Sequence, residues 1–223
     1  MKEAEVFEFY RRLAENDPAP ETELAFINPY TLLVAVALSA QATDVSVNKA
    51  TRPLFAVADT PAAMVELGEE ALRGYIRTIG LYNTKAKNVI ALSQRLLDEH
   101  NGEVPADRAL LERLPGIGSK TAAVVMNVAF EAGTIAVDTH VFRVGNRTGL
   151  APGKTPPLVE AGLEAVTPAS FKRGAHHWLI LHGRYVCKAR RPECWRCIVR
   201  DLCAFEPKTR PPKAEVEKDI GDA

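Results

Sequence analysis

Leu111-Glu112-Arg113-Leu114-Pro115-Gly116-Ile117-Gly118-Ser119-Lys120-Thr121, followed by the apolar run Ala122 to Phe130, is the stretch from which the fold can be read. Arg108 to Leu114 has helical character, and Asp107 stands in front of it as an N-cap. Pro115 withholds a backbone donor, and Gly116 and Gly118 allow tight left-handed turns, so the helix stops there. A second helix is expected from Ser119. It is nearly all apolar and should be buried. The reading is helix, four-residue hairpin, helix. The Gly116 and Gly118 amides, beside a helix N-terminus, can bind a phosphate without reading a base. Lys120 would lie in the first turn of a buried helix, where the dipole and desolvation both oppose an ammonium. A lysine is not placed there for stability. The plain alternative is an ordinary αα-hairpin with a glycine turn, while a Walker A loop is excluded by spacing.

Working outward, the 223 residues suffice for one large or two modest domains. With 47% apolar and 25% charged residues, the composition is that of a globular chain. The longest apolar run, Leu32 to Leu38, is far too short for a membrane span, and the N-terminus lacks a signal-peptide pattern. A cytoplasmic monomer with no membrane partner is expected. Zero net charge argues on its face against a nucleic-acid partner. The distribution restores it: residues 1–24 hold seven acids against three bases, and residues 184–200 hold six bases against one acid. A neutral protein with a basic end can lay one face on DNA.

Val6, Phe9, Tyr10 and Leu13 recur at helical spacing before Pro18. Asn28-Pro29 reads as a cap followed by proline at the first helical position. The helix it opens, Tyr30 to Leu38, is apolar on every side and should sit at the centre of a core. Ser39 to Asp44 is a polar turn. Leu72, Tyr75, Ile76 and Ile79 mark a further helix ending at Gly80, and Asn83 reads as the cap of the next, which runs to Gly102. Asp138 caps a helix that ends at Gly149. Two more follow, at about 157–166 and 171–185. No strand is convincing, so the expected class is all-α.

Three sets of residues carry chemistry. Cys187, Cys194, Cys197 and Cys203, the only cysteines, fall within 17 residues. In a cytosolic chain disulfides are disfavoured, which leaves a metal. Zinc and an iron–sulfur cluster both accept four thiolates, although structural zinc usually takes two short Cys-x-x-Cys knuckles and only one is present. Lys188, Arg190, Arg191, Arg196 and Arg200 interleave with these cysteines and could face phosphates. Asp138, in Val137-Asp138-Thr139-His140, is fully explained as an N-cap by its position alone. Gln41 and Leu81 lie on loops, where a loop amide and a packing leucine are equally ordinary readings.

Taken together, Leu114-Pro115-Gly116-Ile117-Gly118-Ser119-Lys120-Thr121-Ala122, Val137-Asp138-Thr139-His140 and the cysteine spacing resemble the helix-hairpin-helix DNA glycosylase superfamily, and within it the endonuclease III family. The resemblance runs from about Asn28 to Cys203. It implies two helical lobes with the active-site cleft between them. One lobe covers residues 22–132, with the hairpin motif at about 108–130. The other joins 1–21 to 133–211, and 212–223 form a loose tail. It further implies a 4Fe–4S cluster on the four cysteines and a bifunctional glycosylase/lyase. Lys120 would be the nucleophile and Asp138 the catalytic carboxylate. Gly116, Gly118, Lys188, Arg190 and Arg191 would hold DNA, and Gln41 and Leu81 would fill the gap left by an extruded base. Ser39, Asp44, Glu112 and His140 would line the pocket. The substrate would be duplex DNA with oxidised pyrimidines or abasic sites, base release being followed by β-elimination on the 3′ side. A mismatch glycosylase of the same superfamily is the alternative, though it usually lacks the hairpin lysine. A non-catalytic DNA-binding module is the other. This chain has Ser119 where many relatives carry arginine, and Gly145 inside a helix.

Overall fold

The computed structural model describes residues 1–212, so the residues 213–223 of the expected tail lie outside it. Ten α-helices are formed among the described residues: α1 (Glu3–Asn16), α2 (Pro29–Ser39), α3 (Asp44–Phe55), α4 (Pro61–Ile76), α5 (Tyr82–His100), α6 (Arg108–Glu112), α7 (Ser119–Phe130), α8 (Thr139–Thr148), α9 (Pro156–Val166) and α10 (Lys172–Tyr185). Short 3₁₀ turns stand at Ala169–Phe171 and Cys194–Arg196. No strand occurs among the described residues, and no described helix is long and apolar enough to cross a membrane. The helices fall into two compact units, Glu21–Thr134 and Met1–Pro20 with the chain from Ile135 onward.

The Glu21–Thr134 unit is built around α2. Asn28 caps it, accepting from Thr31 N at 2.8 Å, and Pro29 opens it. Tyr30 to Val36 and Leu38 are all buried. An apolar side chain so enclosed contributes about 1.5–3 kcal/mol, which outweighs any preference of the helix for solvent. Tyr30 Oη hydrogen-bonds Ser93 Oγ of α5 at 2.6 Å, so these two buried hydroxyls satisfy each other. The chain from Ser39 to Tyr82 departs from the sequence reading. The stretch after the polar turn is helical too, α3 being capped by Thr43 and burying Val47, Ala50, Thr51, Leu54 and Phe55. Helix α4 starts at Pro61, behind a Thr60 cap, and kinks at Gly68, whose φ of 78° is not helical. The next helix is entered from Leu81, not Asn83. Leu81 is the N-cap and has left-handed backbone (φ 60°, ψ 27°).

In the other unit α1 buries Val6, Phe9, Tyr10 and Leu13 against residues of α8, α9 and α10. Tyr10 Oη bonds Thr167 Oγ1 at 2.8 Å, and Trp178 Nε1 donates to Asp17 O at 2.8 Å. Gly145 has a packing reason: a Cβ there would stand 3.1 Å from Val159 Cγ1 of α9. Gly183 likewise lets α10 approach the first turn of α8, where a Cβ would meet His140 Cβ at 2.8 Å.

Candidate functional site

Helix α6 is capped as expected, Asp107 Oδ1 accepting from Leu110 N at 3.0 Å. It ends at Glu112, and Arg113 and Leu114 continue it only as tight i→i−3 turns. Leu111, Leu114 and Ile117 are buried, so the turn is pinned from inside while Gly116 and Gly118 are exposed. Gly116 is required twice over. Its φ is 77°, and a Cβ would lie 2.7 Å from Asn88 Nδ2. Gly118 is the N-cap of α7 at φ −96° with open space around it. Arg108 Nη2 donates to Ser119 Oγ at 2.6 Å and Arg108 Nε pairs with Glu112 at 3.1 Å. Glu112 thus braces the hairpin, and a guanidinium is held at the turn although position 119 is serine. Lys120 is exposed, as are Gly118 and Ser119; the apolar burial of α7 begins at Ala122. Burial therefore does not reach the ammonium as expected.

Ser39, Gln41 and Leu81 belong to the same unit. Ser39 Oγ turns back to Val36 O at 2.8 Å, and Asp44 opens α3. Gln41 and Leu81 are both exposed, and both have positive φ, 57° and 60°. Neither conformation was foreseeable from residue type.

Asp138 belongs to the other unit. It caps α8, and both capping bonds, from His140 N and Val141 N at 2.8 Å, fall on Oδ1. The cap does not use Oδ2. A capping role and a chemical role for this carboxylate therefore do not compete. His140 is half-buried, with Nδ1 3.2 Å from Arg143 Nη2.

The four cysteines line one pocket, with His182, Val186, Pro192 and Phe205 among its walls. Among the described residues no three His, Cys, Asp or Glu side chains converge as they would on one ion. The four cysteines line the pocket together, and a donor set of four thiols fits a thiolate-bound metal group. Burial pushes the Cys197 thiol up to about 11 and Cys203 in the same direction, so bare thiolates are disfavoured and a cationic group among them offsets that cost. His182, 3.6 Å from Cys197 Sγ, is held at about 4 by burial and secondarily by Arg196, so it stays neutral at pH 7. Arginines secure the loop: Arg143 donates to Cys187 O (2.8 Å) and Gly183 O (2.7 Å), and Arg147 to Lys188 O and Ala189 O (each 2.7 Å). Of the cations expected to face phosphate, Arg190 and Arg191 are exposed. Lys188 is instead engaged by Glu193 at 2.6 Å, a partner that spacing alone did not reveal.

Comparison with known proteins gives a consistent result. Residues 34–169 match the model of the HhH-GPD superfamily base excision DNA repair proteins, and residues 187–203 the iron–sulfur binding domain of endonuclease III. Endonuclease III of Escherichia coli K12 is 61% identical over 208 residues, covering 93% of this chain and 99% of that one. The Haemophilus influenzae protein is 54% identical over the same coverage. Among solved structures, a trapped endonuclease III–DNA covalent intermediate superposes with a TM-score of 0.84 at 43% identity, covering 91% of this chain and 96% of that one.

Proposed function

The chain belongs to the HhH-GPD superfamily of base excision DNA repair proteins, in its endonuclease III family, and on that premise we propose how its own residues divide the work. It is a DNA glycosylase and AP lyase that acts on duplex DNA containing oxidised pyrimidines or abasic sites, and it works as a monomer. The four cysteines hold its 4Fe–4S cluster, which when bound cross-links the loop 187–203.

A base inside a duplex is out of reach, so the damaged nucleotide is extruded first. The neutral amine of Lys120 attacks C1′ of the sugar and the base departs with the bonding pair. Ring opening gives a Schiff base between C1′ and Nζ, and loss of a proton from C2′ expels the 3′ phosphate. Asp138 accepts the lysine proton or faces the positive charge that builds on the sugar. The observation that carries this reading is the Asp138 geometry: one oxygen holds the helix and the other is left to chemistry. Gly118, exposed at the head of α7 with open space where a Cβ would stand, and the exposed Arg190 and Arg191 meet phosphates, which suits an enzyme that must search any sequence.

Asp138→Asn tests the division of labour. Asparagine caps about as well as aspartate, so the melting temperature should hold while turnover falls by about 100-fold, the scale of lost acid–base assistance. A variant that melts early but keeps its rate per folded molecule would reduce Asp138 to a cap.

A further inference from the structure

Lys85 is 8% exposed, an unusual place for a lysine, and no role in the chemistry above calls on it. It lies on α5, four residues after Leu81, and its backbone N–H donates to Leu81 O at 3.0 Å. Its Nζ reaches across to the end of α2, donating to Leu38 O at 2.9 Å and to Ala40 O at 2.6 Å. Burial lowers its pKa, so the ammonium depends on the acceptors it reaches.

The second carbonyl is the informative one. Ser39-Ala40-Gln41-Ala42 is a turn closed by Ala42 N donating to Ser39 O at 3.0 Å. Ala40 at φ −56°, ψ 117° and Gln41 at φ 57° are the central residues of a type II geometry. Types I and II differ by a flip of the central peptide, so the direction of the Ala40 carbonyl decides between them. Type II also asks for glycine or asparagine at its third position, and this chain has glutamine. The ammonium of Lys85 holds the Ala40 carbonyl in the type II sense and so keeps Gln41 left-handed. The neighbouring loop shows the same pattern. Leu81 is left-handed and 62% exposed, and a Cβ on Gly80 would stand 4.0 Å from Gln41 O. Two exposed side chains on unfavourable backbone, in loops that approach each other at Gly80 and Gln41, stand outside the core. Such outliers persist where function uses them.

We propose that Lys85 is a positioning residue: its buried ammonium clamps the 39–42 turn to the start of α5 and sets Gln41 beside Leu81 for insertion into the gap left by the extruded nucleotide. This rests on the reading that Gln41 and Leu81 fill that gap.

The test is a double-mutant cycle on lesion preference, the ratio of affinities for a duplex with a stable abasic-site analogue and for the undamaged duplex. Gln41→Ala should lower this ratio about tenfold. Lys85→Met should lower it by a similar factor while undamaged-duplex binding holds, and Lys85→Met with Gln41→Ala should lower it no further. A general loss of structure would weaken both duplexes together and leave the ratio alone. If Lys85→Met does not melt cooperatively, Lys85→Gln, which keeps a neutral donor, is read in the same way. A folded Lys85 variant with full lesion preference, beside a Gln41→Ala that has lost it, overturns the clamp, as do factors that multiply in the double variant. A Gln41→Ala with full preference is a different result: it removes the gap-filling reading and the clamp with it.

Discussion

The cysteine loop at 187–203 and the turns at 39–42, 80–82 and 115–118 are all irregular backbone, yet they are held in different ways. The cysteine loop has one 3₁₀ turn and, after it, only short i→i−3 turns of its own. Four of its carbonyls, those of Cys187, Lys188, Ala189 and Ile198, are taken by long cations from outside it: Arg143 and Arg147 on α8, and Arg12 of α1, which reaches Ile198 O at 2.9 Å and Asp201 at 2.6 Å. Its four sulfurs close only around a metal group. The turns of the other unit draw on groups of the chain itself. Glycine at 116 and one buried lysine at 85 satisfy them within the chain. Irregular carbonyls must be paired either way. What differs is whether the last constraint is covalent chain or bound ligand, and therefore how each region should fail.

The largest effect is expected at the ligand-held region. Cys197→Ser removes a soft thiolate, and the purified protein should lose its brown colour and its iron. Amide exchange should quicken across residues 187–203 and α10 while α7 keeps its protection. Unchanged protection at 187–203 in a colourless variant would show that the arginines suffice and that the contrast between the regions is false. A smaller effect is expected at the hairpin. Gly116→Ala meets both a positive φ and Asn88, and should cost about 1–3 kcal/mol in denaturant unfolding. Gly118→Ala meets neither and should melt like the parent, while binding duplex DNA more weakly because the phosphate can no longer approach its backbone. Equal stability losses at the two glycines would remove the distinction drawn between a folding glycine and a binding one.

How much of this was legible in the residues depends on what each signal was made of. Caps built from side chains next to their helices could be read: Asn28-Pro29, Asp107 and Asp138 all cap as their positions imply. The cysteine spacing is equally local. Helices α3 and α4 carry local signals as well, since Val47, Ala50, Thr51, Leu54 and Phe55 keep helical period around Pro53, and Thr60-Pro61 repeats the Asn28-Pro29 signal. The left-handed cap at Leu81 was not readable, because leucine is a poor residue for that conformation and Asn83 was the better candidate by type. Lys85 was hidden for a different reason. Its partners lie 45 and 47 residues back in the chain, and no local pattern separates a buried clamp from a solvated lysine. The capture of Lys188 by Glu193 shows the converse, a cation counted toward DNA but already in use.

The central claim is that the amine of Lys120, exposed at the head of α7, forms the covalent bond to DNA. Borohydride reduction during incubation with duplex containing an abasic site, followed by digestion and mass mapping of the adduct, tests it most directly. The account predicts one reduced adduct, on the peptide containing Lys120, and none in Lys120→Ala even where DNA binding is retained. An adduct of undiminished yield in that variant, or one mapped to another amine of the parent protein, would contradict it.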